Sequence, residues 1–153
     1  MLLDIAKTVT LHTPAAAVWS LLQQPVAVAG CLPDIRDFRA AGQPDRYTTL
    51  MVERLGPFQV QMGLTIDVAV DAGAQQVVAR VAGEDRTGQA RVRGEVTAAV
   101  RPAGEDAILE VVSHVEVLGR MATLGAVPMR RRGDQIFEQF IANIGALLGE
   151  QHG

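Results

Sequence analysis

The chain has little of what most chemistry needs. Of its 153 residues one is cysteine and three are histidine. A lone Cys31 excludes an internal disulfide and a cysteine-based zinc site, and it fits a reducing compartment. Aromatic residues make up only 4% of a chain that is 48% hydrophobic, so the apolar mass is mostly Val, Ala, Leu and Ile. Such small side chains can line a void as readily as fill one. No apolar run approaches the ~20 residues of a membrane span. The opening Met1-Leu2-Leu3-Asp4 has no basic segment leading an apolar one, so no signal peptide is expected and the expected location is cytoplasmic. With 14 basic and 17 acidic residues the net charge is -3, which gives no general field for nucleic acid.

What is present is a strong alternation. Leu3, Ile5, Val9 and Leu11 share one side of a first strand, interrupted by Lys7. Thr13-Pro14 reads as an N-cap and a first-turn proline. Ala15, Val18, Trp19 and Leu22 then follow with helical spacing. Residues 26–33 suggest a short helical turn ending in Cys31-Leu32-Pro33. Strands are expected near 34–41, 46–54, 57–70, 76–83, 89–101 and 106–118, separated by Gly, Pro and Asp turns. The clearest holds Phe58, Val60, Met62, Leu64, Ile66, Val68 and Val70 at every even position. The last element is a helix to about Leu148, with Ile136, Phe137, Phe140, Ile141 and Ile144 in one stripe and Gly149 after it. Pro128 either sits in its first turn or kinks a helix that begins near Met121.

The result is a single α+β domain over 1–149, with 150–153 as a short tail, in the order β-α-(α)-β6-α. One long helix must cover the apolar face of a seven-stranded antiparallel sheet. Either the sheet curls round it or a gap remains. At roughly 24 cal/mol per Å³, a void of roughly 400 Å³ would cost about 10 kcal/mol. That equals the whole stability of many domains, so such a void takes side chains, a ligand or water.

That order, with these residues, resembles the START/Bet v 1-like (SRPBCC) superfamily, whose fold is the helix-grip. Within it the chain is similar to the CoxG family, the G-type subunits of carbon monoxide dehydrogenase. The matching stretches are Thr13-Pro14 with Val18-Trp19, Cys31-Leu32-Pro33, Leu55-Gly56-Pro57-Phe58 and Gly119 to Gly125, followed by Gln139-Phe140 and Asn143. The resemblance implies a cavity between sheet and helix, an apolar ligand such as a quinone or lipid, and an accessory role beside a molybdenum hydroxylase. It also implies peripheral contact with the inner face of the membrane. Longer members carry a tail that reaches the membrane; this chain runs only to Gly153, just past the helix, so no anchor within it is expected.

For catalysis the candidates are weak. His12 and His114 alternate with apolar neighbours and read as surface groups, and His152 as part of a frayed tail. No pairing suggests a metal. Cys31 reads as a buried structural residue. Asp34 and Asp37 flank Arg36 and read as surface pairs. On the strands from 57 to 117 the apolar face carries almost nothing polar but Ser113, which favours binding over reaction. No catalytic residue, cofactor or metal is therefore assigned.

The expected lining is Phe58, Met62, Leu64, Val92, Val96, Met121, Leu124 and Phe137, with Tyr47 and Arg120 at the rim. Arg130, Arg131 and Arg132 spread over some 200° of a helix, so they read as a solvated collar. The alternative is an electropositive rim over a throat of Met121, Leu124, Gly125 and Met129. A second function is a cyclase or hydratase using Tyr47, Ser113 and Glu53, and a third is an assembly factor with a filled core.

Overall fold

In the computed structural model, which describes residues 1–149, alternation becomes one seven-stranded antiparallel sheet. Its strands are β1 (Leu2–Leu11), β2 (Ile35–Ala40), β3 (Arg46–Leu55), β4 (Phe58–Asp71), β5 (Gln76–Asp85), β6 (Arg91–Ala103) and β7 (Asp106–Leu118). The spatial order β1-β7-β6-β5-β4-β3-β2 pairs the first strand with the last. Helices α1 (Ala15–Leu22) and α2 (Pro25–Gly30) follow β1. A 3₁₀ turn, Arg120–Leu124, leads into α3, Ala126–Leu148. The four residues of the expected tail, His152 among them, lie outside the described residues.

Register fixes which side chains face the helix. Met62 pairs with Met51 and Asp85, Val92 with Gly83 and Val117, and Val115 with Leu3. The even positions of β4 and β6 therefore share a face with the odd positions of β3, β5, β7 and β1. Gly83 and Gly94 lie on this face where strands approach too closely for a side chain. A Cβ on Gly94 would stand 2.2 Å from the His114 carbonyl oxygen, and one on Gly83 would stand 2.4 Å from that of Gly63. Glycine lets the sheet bend sharply there, and the bend makes the sheet concave.

Three expectations change in detail. Thr13 does not cap α1: Pro14 is the N-cap and no side chain bonds the first turn. Thr13 is instead buried. Pro128 lies in the first turn of a continuous α3, where its missing N–H costs nothing. The helix does not begin at Met121, because Gly125 separates the 3₁₀ turn from it. Asp85 extends β5 beyond the expected turn and falls opposite Met62, so Ser113 is not the only polar group on that face. Asp85 accepts bonds from the Gln61 and Thr87 backbone N–H groups and from the Thr87 hydroxyl, and these hold its carboxyl below the ordinary aspartate value.

The core divides into two clusters. One joins α1 and the last turns of α3 to β1, β6 and β7 through Leu11, Val18, Leu22, Leu109, Phe140 and Ile144. Fully burying each of Leu11, Leu109 and Ile144 contributes roughly 1.5–3 kcal/mol. The other lies under the 3₁₀ turn and the start of α3, and it contains Val60, Met62, Leu64, Val117, Met121 and Met129.

Candidate functional site

Three polar ties hold α3 to the rest of the molecule. Near its C-terminal end the Asn143 side-chain amide donates to the Cys31 carbonyl at 3.0 Å. Cys31 itself is buried, which pushes its thiol pKa up and leaves it inert. In the middle, Asp134 pairs with Lys7 of β1 at 2.7 Å. The apparent interruption of the β1 pattern is therefore a helix contact. Near the N-terminal end Arg132 donates to Glu53 of β3 at 2.7 Å, to Asp34, and to Gln135 at 3.1 Å.

This last tie corrects the reading of the three arginines as a solvated collar. Arg130 and Arg131 are exposed, but Arg132 turns inward against a carboxylate that is only 8% exposed. It also takes Asp34 as its partner, leaving Asp37 to pair with Arg39. Glu53 Oε2 is buried with no hydrogen-bond partner among the described residues. Burial raises the Glu53 pKa above the ordinary glutamate value, against the opposing pull of Arg132.

These residues line an open cleft of about 500 Å³ between β3 and the start of α3, just before the first residue of β2. Its walls are Asp34, Glu53, Arg54, Leu55, Gln59, Arg131 and their neighbours. No expected lining residue borders it.

Between the two core clusters lies a different surface. Ile5, Ala79, Val96, Ser113, Ile136 and Phe137 belong to neither cluster, and all are half-buried. α3 rests on β1, where a Cβ on Gly133 would stand 2.6 Å from Ile5 Cδ1, and it touches β3.

The expected lining residues separate accordingly. Val96 and Phe137 lie in the half-open band. Met62, Leu64 and Met121 are buried in the second cluster, and Phe58, Val92 and Leu124 pack against it. Arg120 is exposed in the 3₁₀ turn. Tyr47 stacks on Phe38 with ring centroids 5.0 Å apart, at the opposite end of β3 from Leu55, so Tyr47 and Arg120 do not share a rim. Tyr47, Ser113 and Glu53 do not converge: β3 and β7 are four strand spacings apart, roughly 19 Å along the sheet. No hydrogen bond joins any two of the three among the described residues.

Sequence reasoning missed Arg132, Asp34 and Lys7 as partners of buried or facing groups. Only the odd-position alternation of β3, which puts Glu53 on the apolar face, signalled that a cation must meet it.

The profile of the CoxG family, described as the G subunit of carbon monoxide dehydrogenase, matches residues 8–149. The chain belongs to this family. Among solved structures, a conserved protein from Geobacillus kaustophilus superposes with TM-score 0.85 at 19% identity, covering 96% of this chain and 95% of that one. A START superfamily protein from Mycobacterium smegmatis gives TM-score 0.70 at 17% identity, covering 97% and 98%. Norcoclaurine synthase from Thalictrum flavum, in complex with dopamine and hydroxybenzaldehyde, gives 0.69 at 14% identity, covering 98% and 88%. At these identities the likeness is one of fold, and the fold is the START-like helix-grip. Comparison with curated proteins gives no match. Among the described residues of this CoxG-family chain, no helix is long and apolar enough to cross a membrane.

Proposed function

We propose that this CoxG-family protein is a non-enzymatic carrier. It binds an apolar molecule, quinone or lipid-like, between the sheet and α3. It serves as an accessory to a molybdenum hydroxylase of the carbon monoxide dehydrogenase type, in the cytoplasm and in passing contact with the inner membrane face. The observation that carries the reading is the band of Ile5, Ala79, Val96, Ser113, Ile136 and Phe137, half-buried and outside both core clusters. Apolar surface left in water in the middle of a domain costs about 25 cal/mol per Å² until something covers it. Family membership supports an enzyme partner of this type. The scattering of Tyr47, Ser113 and Glu53 weighs against a reaction at this band.

The reading is tested by incubating the protein with a short-chain quinone, removing excess by gel filtration, and extracting what remains. Retention near one molecule per chain, lost on filling the band with Val96→Trp, supports it. No retention of quinone or fatty alcohol would contradict it.

A second reading is favoured by one observation. Glu53 is a buried carboxyl with a raised pKa beside a cleft, the environment of a general acid or base. Its ion pair with Arg132, which is also tied to Asp34, makes it a structural group first. Substrate turnover abolished by Glu53→Gln in a well-folded protein would promote this reading.

A further inference from the structure

The cleft at the start of α3 has more cationic groups than its acids require. Arg132 donates to both Asp34 and Glu53, so each of the two carboxylates that line it already has a cationic partner. Arg54 of β3 and Arg131 of α3 also line it, one from the sheet and one from the helix, and neither has an acidic partner among the described residues. Arg54 and Arg131 are both exposed, so their guanidinium groups can turn to a ligand. Gln59 and Gln135 add neutral amides, and Leu55 and Pro128 an apolar floor. α3 begins at the same place with no acidic residue in its first turn and no side-chain cap, so its positive end is uncompensated.

Along α3 the cleft residues Arg131 and Arg132 precede Ile136 and Phe137 of the band by about one turn. From Arg132 to Phe137 is five residues of helix, a rise of roughly 7.5 Å. Ile136 stands one turn beyond Arg132 on the same helix. A molecule whose charged end lay between Arg54 and Arg131 would therefore need only a chain of several carbons to reach the band.

The geometry points to a site for the anionic head, carboxylate or phosphate, of an amphiphile whose apolar chain runs past Ile136 into the grip. The inference rests on the carrier reading and adds to it the chemistry of the ligand's polar end. Guanidinium groups fit either anion, since both accept paired N–H bonds. A neutral head can accept hydrogen bonds from the two guanidinium groups but leaves their charge uncompensated. A charged head also explains why sheet and helix each bring an arginine to one cleft with no acid set against either.

The test compares dodecanoate, dodecyl phosphate, dodecanol and inorganic phosphate by titration calorimetry at low ionic strength. The chain is common to the first three ligands and the anion to all but dodecanol. The charged amphiphiles should bind about tenfold more tightly than dodecanol, the effect of one or two charge-assisted bonds at a partly exposed site. The preference should disappear in Arg54→Gln/Arg131→Gln with dodecanol affinity unchanged. High salt should also erase it in the unaltered protein, a readout that needs no variant. Equal binding of dodecanol and dodecanoate would overturn the inference and leave the carrier reading standing. So would a charge preference that survives the double variant. Inorganic phosphate bound as tightly as dodecyl phosphate would overturn it as well, by showing a free-anion site unconnected to the grip. If no chain-bearing ligand binds, charged or neutral, the inference falls, and the carrier reading falls with it only if quinone is not retained either.

Discussion

Arg132 of α3 meets Glu53 of β3 at 2.7 Å, and the two side chains are 24% and 8% exposed. The pair joins the start of the long helix to the strand that borders the cleft. Removing one partner leaves the other charge uncompensated in a poorly hydrated place. Arg132→Met should therefore destabilise the protein by about 2 kcal/mol, less than a fully buried pair because the guanidinium keeps some water. That lowers Tm by roughly 4–8 °C in a domain of this size. Adding Glu53→Met should restore most of the loss, since only Asp34, which is 36% exposed, is then left without its cation. Thermal denaturation of both variants checks this, and a double variant no better than the single one would refute it.

The two buried acids of the concave face should titrate with opposite consequences. The Thr87 hydroxyl, with the Gln61 and Thr87 backbone N–H groups, lowers the folded pKa of Asp85. Its contribution is present above the ordinary aspartate value and is lost as pH falls through the folded one. Asp85→Asn should then be less stable than the unaltered protein at neutral pH, and the difference should shrink below about pH 4. Burial raises the folded pKa of Glu53. Its contribution is present below the ordinary glutamate value and is lost as pH rises through the raised one. The stability of Glu53→Gln relative to the unaltered protein should accordingly increase as pH rises above about 4.5. Urea denaturation across this range reads both slopes.

Glycines of the sheet and of the short helix should respond differently to a methyl group. At Gly94 a Cβ meets the His114 carbonyl oxygen and the Val115 Cα, and backbone cannot step aside. Gly94→Ala should cost about 2 kcal/mol or more, the range of overpacking and strain in a core. At Gly30 nothing lies within 4 Å. Gly30→Ala should be neutral or stabilising by up to about 1 kcal/mol. Melting temperatures of the pair test whether the sheet bends where the glycines are placed.

Much of this was legible in the chain because alternation and turn chemistry are local. The even positions from Phe58 to Val70 define β4 and its inner face without any knowledge of neighbours. Gly56-Pro57 and Ala103-Gly104 mark hairpins in the same way. The family stretches were legible as well, and two of them prove to touch: Asn143 bonds the Cys31 carbonyl. What escaped was set by distance in space. Arg132 turns inward, unlike Arg130 and Arg131, because α3 starts at Ala126 and so fixes the phase of each side chain against β3. That start depends on Gly125 ending the 3₁₀ turn, which no periodicity announces. The division of the apolar face into two closed clusters and a half-buried band was equally invisible, since Val92 and Val96 have the same pattern in sequence. Val92 packs against the cluster that holds Met121 and Met129, and Val96 packs against neither cluster.

The band itself can be closed by design. Val96 and Phe137 face it from sheet and helix, and neither belongs to a closed cluster. Val96→Trp should fill it with little loss of stability, because the site is half-open, whereas Met62→Trp in the closed cluster should cost about 1–3 kcal/mol through overpacking. Thermal denaturation of the two variants ranks them. The reverse order would place the free space in the second cluster instead.

The most direct measurement is native mass spectrometry of the freshly purified protein, followed by organic extraction and identification of what is released. A carrier should show a non-covalent adduct of one apolar or amphiphilic molecule per chain, present in the unaltered protein and missing from Val96→Trp. A clean apo mass, in a protein that also takes up neither added quinone nor dodecanoate, would contradict the carrier reading and leave the molecule an assembly factor whose working surface is its exterior.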